Sequence, residues 1–319
     1  MLFTIPSKTF LCAVLLGASL ATAEETSAFH LSENLNAEAK RAFELALRTK
    51  YSESYDVIQK IQAKDSGAAC VIRGIVKLSE FDDVGDTLAL FKSEEELVRC
   101  NAKGAWDVLR EFELGYVRSA MGKSVKGALE TRKAAKKFKD SEDPDARAFY
   151  AIYAYYVEDG LSFLPFVSDN REAHLKSLEQ SVEKSELFWA LFATPLAWMY
   201  YDKEEYGKAL GVVERALSKA PGNPVFLQMK ADMLYKAGRF AEAAKIYERS
   251  ASDYLKRTGK SVRYFCAVGN LARIYLAMGE AQKAKEETKL FGDAEYQKIE
   301  KWMPASLVKD LKKKGLYSE

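Results

Sequence analysis

Two triplets, Gly122-Lys123-Ser124 and Gly259-Lys260-Ser261, have the ending of a phosphate-binding loop. Such a loop also needs a glycine five residues before the second one, because backbone N–H groups must wrap the phosphates. Val117 and Tyr254 stand at those positions, and neither follows a credible strand. A second set suggests a serine acyl-enzyme: Ser181-Val182-Glu183-Lys184, Ser168-Asp169-Asn170 and Arg257-Thr258-Gly259 approximate its three motifs. The order is wrong, since the second motif precedes the first, and the third belongs on a strand that the sequence does not predict. His30 and His174 lie far apart, so no histidine pair exists for zinc or a hydrolytic triad. The acidic clusters Asp82-Asp83-x-x-Asp86 and Asp140-x-Glu142-Asp143-x-Asp145 lack the glycine and terminal glutamate of a calcium loop and read as solvated turns and helix caps. No nucleophile, base and orienter assemble, so the sequence predicts no enzyme, no cofactor and no metal site.

The 48 Lys and Arg residues nearly balance the 46 Asp and Glu residues, which leaves no global field for nucleic acid or anionic lipid. A content of 48% hydrophobic and 12% aromatic residues excludes a disordered chain. Residues 1–23 read as a secretory leader: Lys8 is the lone charge, Phe10 to Leu20 are apolar, and Ala21-Thr22-Ala23 has the form of a cleavage site. Lipidation at Cys12 is the weaker reading, because Leu11 precedes it and the apolar run continues. The expected mature chain is extracytoplasmic, most simply periplasmic, with no transmembrane helix. Cys70, Cys100 and Cys266 then remain; Cys70 and Cys100 fall on neighbouring predicted helices and are the candidate disulfide.

The elements that carry these residues have helical spacing almost throughout. Ala39, Ala42, Phe43, Ala46 and Leu47 fall on one stripe, and Tyr55, Ile58 and Ile61 on the next. Ser93 with Glu96 predicts a capping box ahead of Leu97, and Asp143-Pro144 and Asn223-Pro224 predict helix starts. The fold class expected is all-α, a solenoid of antiparallel helix pairs with about fifteen helices. The run Lys309 to Lys314 reads as a helix end stopped by Gly315.

An internal repeat sharpens this. Tyr200, Tyr206, Ala209, Val213, Ala216 and Pro221, preceded by Leu196 and Ala197, form one set. Ala231, Leu234, Gly238, Phe240, Ala243, Tyr247 and Ser250 form the next, with Ala243 and Phe240 each 34 residues after Ala209 and Tyr206. Leu271, Ala272, Tyr275, Gly279, Ala281 and Ala284 form a third set, seven residues late, the delay being assigned to a linker from Ser252 to Ser261. These sets resemble tetratricopeptide (TPR) repeats over about residues 190–290. Residues from Tyr51 to Asp65 and from Leu114 to Phe138 resemble degenerate repeats. The layout Phe149 to Tyr153, Leu161 to Val167 and Asp169-Asn170-Arg171 is similar to bacterial envelope TPR proteins, and in outline to the TPR periplasmic component of TRAP transporters. The resulting division is a leader at 1–23, a helical region at 24–189, TPR repeats at 190–291 and carboxy-terminal capping helices at 292–319.

The resemblance implies binding of a protein or peptide in a groove lined by the first helix of each pair. By that analogy the groove residues are Trp198, Tyr201, Gln228, Asp232, Tyr235, Asn270 and Arg273. A lysine- and asparagine-rich clamp for acidic peptide ends does not fit, since only Asn270 and Arg273 suit it and Asp232 opposes an anion. The alternative partner is a small apolar ligand held near Tyr153, Phe163 and Phe166, where Pro165 interrupts the helical rhythm.

Overall fold

The computed structural model describes Phe29, residues 31–161 and residues 169–317. The expected leader with Cys12, together with His30, Phe163 and Phe166, lies outside the described residues. Sixteen α-helices follow one another among the described residues: α1 (Glu33–Leu47), α2 (Tyr51–Gln62), α3 (Ser66–Val84), α4 (Thr87–Arg99), α5 (Gly104–Ala120), α6 (Ser124–Phe138), α7 (Pro144–Leu161) and α8 (Arg171–Lys184). Then come α9 (Trp189–Asp202), α10 (Tyr206–Lys219), α11 (Pro224–Lys236), α12 (Phe240–Thr258), α13 (Val262–Ala277), α14 (Ala281–Thr288), α15 (Ala294–Ile299) and α16 (Ala305–Lys313). No strand occurs among the described residues, so the all-α reading holds. No helix among them is long and apolar enough to cross a membrane.

One helical hairpin recurs five times. After α1, α5, α9, α11 and α13 the chain reverses through a left-handed residue: Thr49, Gly122, Glu204, Gly238 and Gly279. In every case the next N–H reaches back five residues, from Lys50 to Leu45, Lys123 to Arg118, Glu205 to Tyr200, Arg239 to Leu234 and Glu280 to Tyr275. That bond satisfies a carbonyl which the helix end would otherwise leave open. Seven residues before the turn stand Ala42, Gly115, Ala197, Ala231 and Ala272; five after it stand Ser54, Gly127, Ala209, Ala243 and Ala284. All ten are buried. Small side chains at these two heights let the paired helices approach in α1–α2, α5–α6, α11–α12 and α13–α14, most closely in α5–α6. There a Cβ built on Gly115 would lie 2.7 Å from the Gly127 carbonyl.

The described residues form two compact units, one made of those up to residue 80 together with those between 87 and 199, the other of residues 81–86 with those from 200 onwards. The core of the first centres on Phe149, whose ring lies 5.0–6.1 Å from those of Phe29, Phe112, Phe138, Phe188 and Phe192. Cys70 and Cys100 are joined by a disulfide, with Cα atoms 5.6 Å apart, linking α3 to the residue that follows α4. The core of the second unit centres on α13. Phe265 packs on Phe291 and Tyr296, and Gly269 lies under Leu307 and Leu311 of α16. Free Cys266 is buried beside the Met303 sulfur, and burial pushes its thiol up to about 11.

The caps expected at Asp143 and Asn223 form, accepting from the Ala146 and Phe226 amides at 2.9 and 3.0 Å. Three readings are corrected. Ser93 and Glu96 lie inside α4 and not at its start: Leu90, Ser93 and Leu97 share the buried face, Ser93 Oγ donates to the Gly74 carbonyl at 2.9 Å, and Glu96 pairs with Arg73. The stretch from Ser252 is no linker, because Tyr247, Ala251 and Tyr254 continue the buried face and α12 runs to Thr258, giving it 19 residues where α10 has 14. Asp82 and Asp83 are not a solvated turn. Within the second unit Asp83, 1% exposed, receives both Arg257 guanidinium nitrogens at 3.1 and 2.8 Å, and Asp82 receives Arg263 Nη2 at 3.2 Å.

Candidate partner-binding face

In the second unit, the residues at the end of α9, along α11 and along α13 bring most of the expected set together. Asp232 sits at the middle of α11, half-buried, and its Oδ1 accepts a 2.6 Å hydrogen bond from the Tyr247 hydroxyl of α12. Burial is the main cause that lifts the Asp232 carboxyl to about 6, and the Tyr247 hydrogen bond, Arg273 and Lys236 oppose the rise. The Tyr247 hydroxyl is held well above its usual range by burial and by that carboxylate. Lys236, one turn on from Asp232, places its Nζ 5.7 Å from the Tyr201 ring, and the Arg273 guanidinium lies 5.6 Å from the Tyr235 ring. Tyr235 in turn packs on Phe240 at 5.6 Å and Tyr201 on Tyr206 at 5.5 Å. Burial, followed by Asp232, raises the Tyr201 hydroxyl.

Arg273 is heavily engaged. Its Nη1 donates to Asn270 Oδ1 at 3.0 Å, and its Nε lies 2.7 Å from Asp310 Oδ2 of α16. Gln228 lies one helical turn before Asp232, half-buried, and its Nε2 is buried without a hydrogen-bond partner. A buried amide left open costs on the order of 1–3 kcal/mol. The face therefore offers two aromatic rings already covered by cations, one carboxylate oxygen free of hydrogen bonds, and one unsatisfied amide.

Trp198 does not join it. The side chain is 7% exposed, in the first unit, because α9 is apolar on all sides and buries nearly every residue from Trp189 to Tyr200. Its expected place on a binding surface is corrected to the core. Tyr153, on α7, is half-buried, and burial pushes its hydroxyl up to about 12. The segment around Phe163 and Phe166 lies outside the described residues. An open depression of about 410 Å³ sits instead at the α11–α12 turn, lined by Gly238, Arg239, Phe240, Ala241, Glu242 and Met278.

The sequence missed the parts played by Lys236, Tyr247 and Asp310. Lys236 was within reach, since it stands four residues after Asp232 on the same helix. Tyr247 was visible only as a repeat aromatic. Asp310 carries no local signal, because its role depends on where α16 docks.

The motifs set aside from the sequence have structural work. Gly122 makes a hairpin turn and Lys123 pairs with Glu94 at 3.0 Å. Gly259 ends α12 in the left-handed region, Lys260 pairs with Asp293 and Glu295, and Ser261 caps α13 by accepting from the Tyr264 amide. Ser181 Oγ contacts the Pro144 and Ser177 carbonyls, and Asp169 is engaged by Arg171. His174, 15% exposed at its side chain, lies 3.3 Å from Glu158 and edge-on to Tyr150. No group of three or more His, Cys, Asp and Glu side chains among the described residues is arranged to hold a metal ion.

Comparison with known proteins agrees with the repeat geometry. Residues 200–257 match the family model described as tetratricopeptide repeat. A stretch of 85 residues is 34% identical to the TPR repeat-containing thioredoxin TTL4 of Arabidopsis thaliana, covering 27% of this chain and 11% of that protein. The family match at residues 200–257 contains the Glu204 and Gly238 turns and the buried pair Ala231 and Ala243. Residues 200–257 carry tetratricopeptide repeat sequence, and the described residues form an all-α, TPR-like array of helix hairpins.

Proposed function

We propose that this protein is a non-enzymatic, extracytoplasmic interaction module that holds a polypeptide partner during assembly in a bacterial cell envelope. The observation that carries the reading is the convergence of Tyr201, Gln228, Asp232, Tyr235 and Arg273 within the matched repeats and the helix beyond them. Aromatic rings beside hydrogen-bonding groups are the composition from which protein contacts draw most of their energy. A location outside the cytoplasm is supported by the leader-like residues 1–23 and by the Cys70–Cys100 disulfide, a bond favoured in oxidising compartments.

The test is affinity capture from native envelopes with the wild-type protein and with Tyr235→Ala and Asp232→Asn, followed by protein and small-molecule mass spectrometry of the same eluates. The reading predicts a reproducible protein partner that both variants lose while keeping wild-type helicity. A stoichiometric small molecule with no protein partner would reject it in favour of a transport-linked binding protein.

A further inference from the structure

We propose that the outer face of α6 rests on an anionic membrane surface, with Lys126, Lys133 and Lys136 among the lipid headgroups and Val125 and Leu129 reaching into the apolar boundary beneath them. The face belongs to the first unit and shares no residue with the α11–α13 face. The near-balanced total charge of the chain conceals it. From Val125 to Lys137, every exposed residue of α6 is either a lysine or one of these two apolar side chains. Val125 is 61% and Leu129 45% exposed, and with Lys133 and Lys136 they follow at helical spacing along one stripe. Gly127, Ala134 and Phe138 bury the opposite side, so the stripe is held outward.

Its charge is not cancelled from within. Glu130, the lone acid of α6, is taken by Arg118. Glu111 of α5 draws Lys137 to 3.0 Å and Lys133 to 3.9 Å, while Lys126 and Lys136 form no ion pair among the described residues. Asp140 and Glu142 come only beyond the end of the helix. The carboxy-terminal basic run differs, since Lys312 pairs with Glu300 and Lys314 with Asp310.

The partner must therefore carry negative charge and also accept apolar side chains. An anionic bilayer does both, because lysine stems let the ammonium groups stay at the headgroups while Val and Leu enter below them. A nucleic acid calls for arginine forks and stacking aromatic rings, and the exposed residues of this stripe include neither.

The probe is a pair of vesicle preparations, one of pure phosphatidylcholine and one also containing phosphatidylglycerol, floated with the full chain. Wild type is compared with the double variants Lys126→Gln/Lys136→Gln and Val125→Ser/Leu129→Ser, and an environment-sensitive fluorescent amino acid in place of Leu129 reports on that position. The proposal predicts flotation with the phosphatidylglycerol vesicles alone, weakened by salt, and a blue shift at position 129. A lysine near an anionic surface contributes about fivefold, so the lysine variant should bind about 25-fold more weakly. The serine variant should lose about tenfold, and both should keep wild-type helicity, all four positions being exposed. Equal binding to both vesicle types, binding to neither, or binding that both variants retain would overturn the proposal, the last by placing the lipid contact elsewhere in the chain. Loss in the lysine variant with full binding in the serine variant and no blue shift would overturn it too, marking the face as a site for a soluble polyanion.

Discussion

Replacing Gly127 by alanine in α6 and Gly211 by alanine in α10 should move stability in opposite directions. Both glycines lie inside helices, where alanine is favoured by about 1 kcal/mol. A Cβ on Gly211 would meet nothing nearer than Arg215 Nη1 at 3.9 Å, a flexible side-chain end, so the full gain of about 1 kcal/mol is expected. A Cβ on Gly127 would run into the Gly115 carbonyl and the Ser119 hydroxyl, and would lie 2.8 Å from the Ser119 amide nitrogen. Backbone atoms cannot rotate away, so the hairpin must open. Overpacking costs about 1–3 kcal/mol, and collision with backbone atoms puts this site at about 2–3 kcal/mol; the helix-propensity gain of about 1 kcal/mol offsets part of it, leaving a net loss of about 1–2 kcal/mol. Urea denaturation followed by far-UV circular dichroism would measure both. Hydrogen exchange would assign the change in Gly127→Ala to α5–α6 of the first unit and that in Gly211→Ala to the second. A Gly127→Ala protein as stable as wild type, or more so, would refute the argument that α5 and α6 pack backbone to backbone.

Three other outcomes follow from the same geometry. Thr49 and Glu204 hold the left-handed turn position that glycine fills in three sister hairpins, at φ of 61° and 60°; Thr49→Gly and Glu204→Gly should each stabilise by about 0.5–1 kcal/mol in urea melts, the strain relieved exceeding glycine's entropic cost. Reducing Cys70–Cys100, which are separated by 30 residues, should lower the stability of the first unit by about 3.6 kcal/mol through loop entropy, and a reduced protein melting unchanged would contradict this. Asp145 and Asp232 are both lifted to about 6 by burial, against about 3.9 in an unfolded chain. Between these values the folded state holds protons that the unfolded state has released, so stability should fall as pH rises from 4 to 6 and then level off. Asp232→Asn should accordingly gain about 1–2 kcal/mol at pH 7.5 and little at pH 4.5, the half-exposed carboxylate keeping the gain below the full linkage value; an equal gain at both would show that ionisation is not the cause.

How far the sequence revealed this structure depended on whether a residue's role was local. The hairpins at Gly238 and Gly279 were legible because glycine, the small residues around it and the aromatics repeat in phase. The α1–α2 hairpin was blurred, since Thr49 stands where glycine would have announced the turn, and Ser54 fills the buried small position by donating to the Ala42 carbonyl at 2.8 Å. Glu204 hid another turn in the same way, but its neighbours kept the phase. Local capping chemistry at Asp143 and Asn223 was read correctly. Ser93-x-x-Glu96 has the same signature and was misread, because nothing local separates a cap from a buried serine that bonds a neighbouring helix. Asp82 and Asp83 were misread for a related reason: their partners, Arg257 and Arg263, lie more than 170 residues away. On the candidate face, the analogy with TPR geometry proposed Tyr201, Gln228, Asp232, Tyr235, Asn270 and Arg273, which the second unit carries on α9, α11 and α13. It failed for Trp198, because α9 has no polar stripe to show which side is covered.

The central claim is that the α11–α13 face is where a polypeptide partner sits. Its most direct test is site-specific photocrosslinking, with a photoreactive phenylalanine analogue placed at Tyr235 or at Gln282, an exposed residue of α14. The chain would be expressed in its native host and irradiated in living cells. The account predicts polypeptide adducts from Tyr235, abolished by adding Asp232→Asn, and none from Gln282. Adducts that form only from Gln282, or that form from Tyr235 regardless of Asp232, would contradict it.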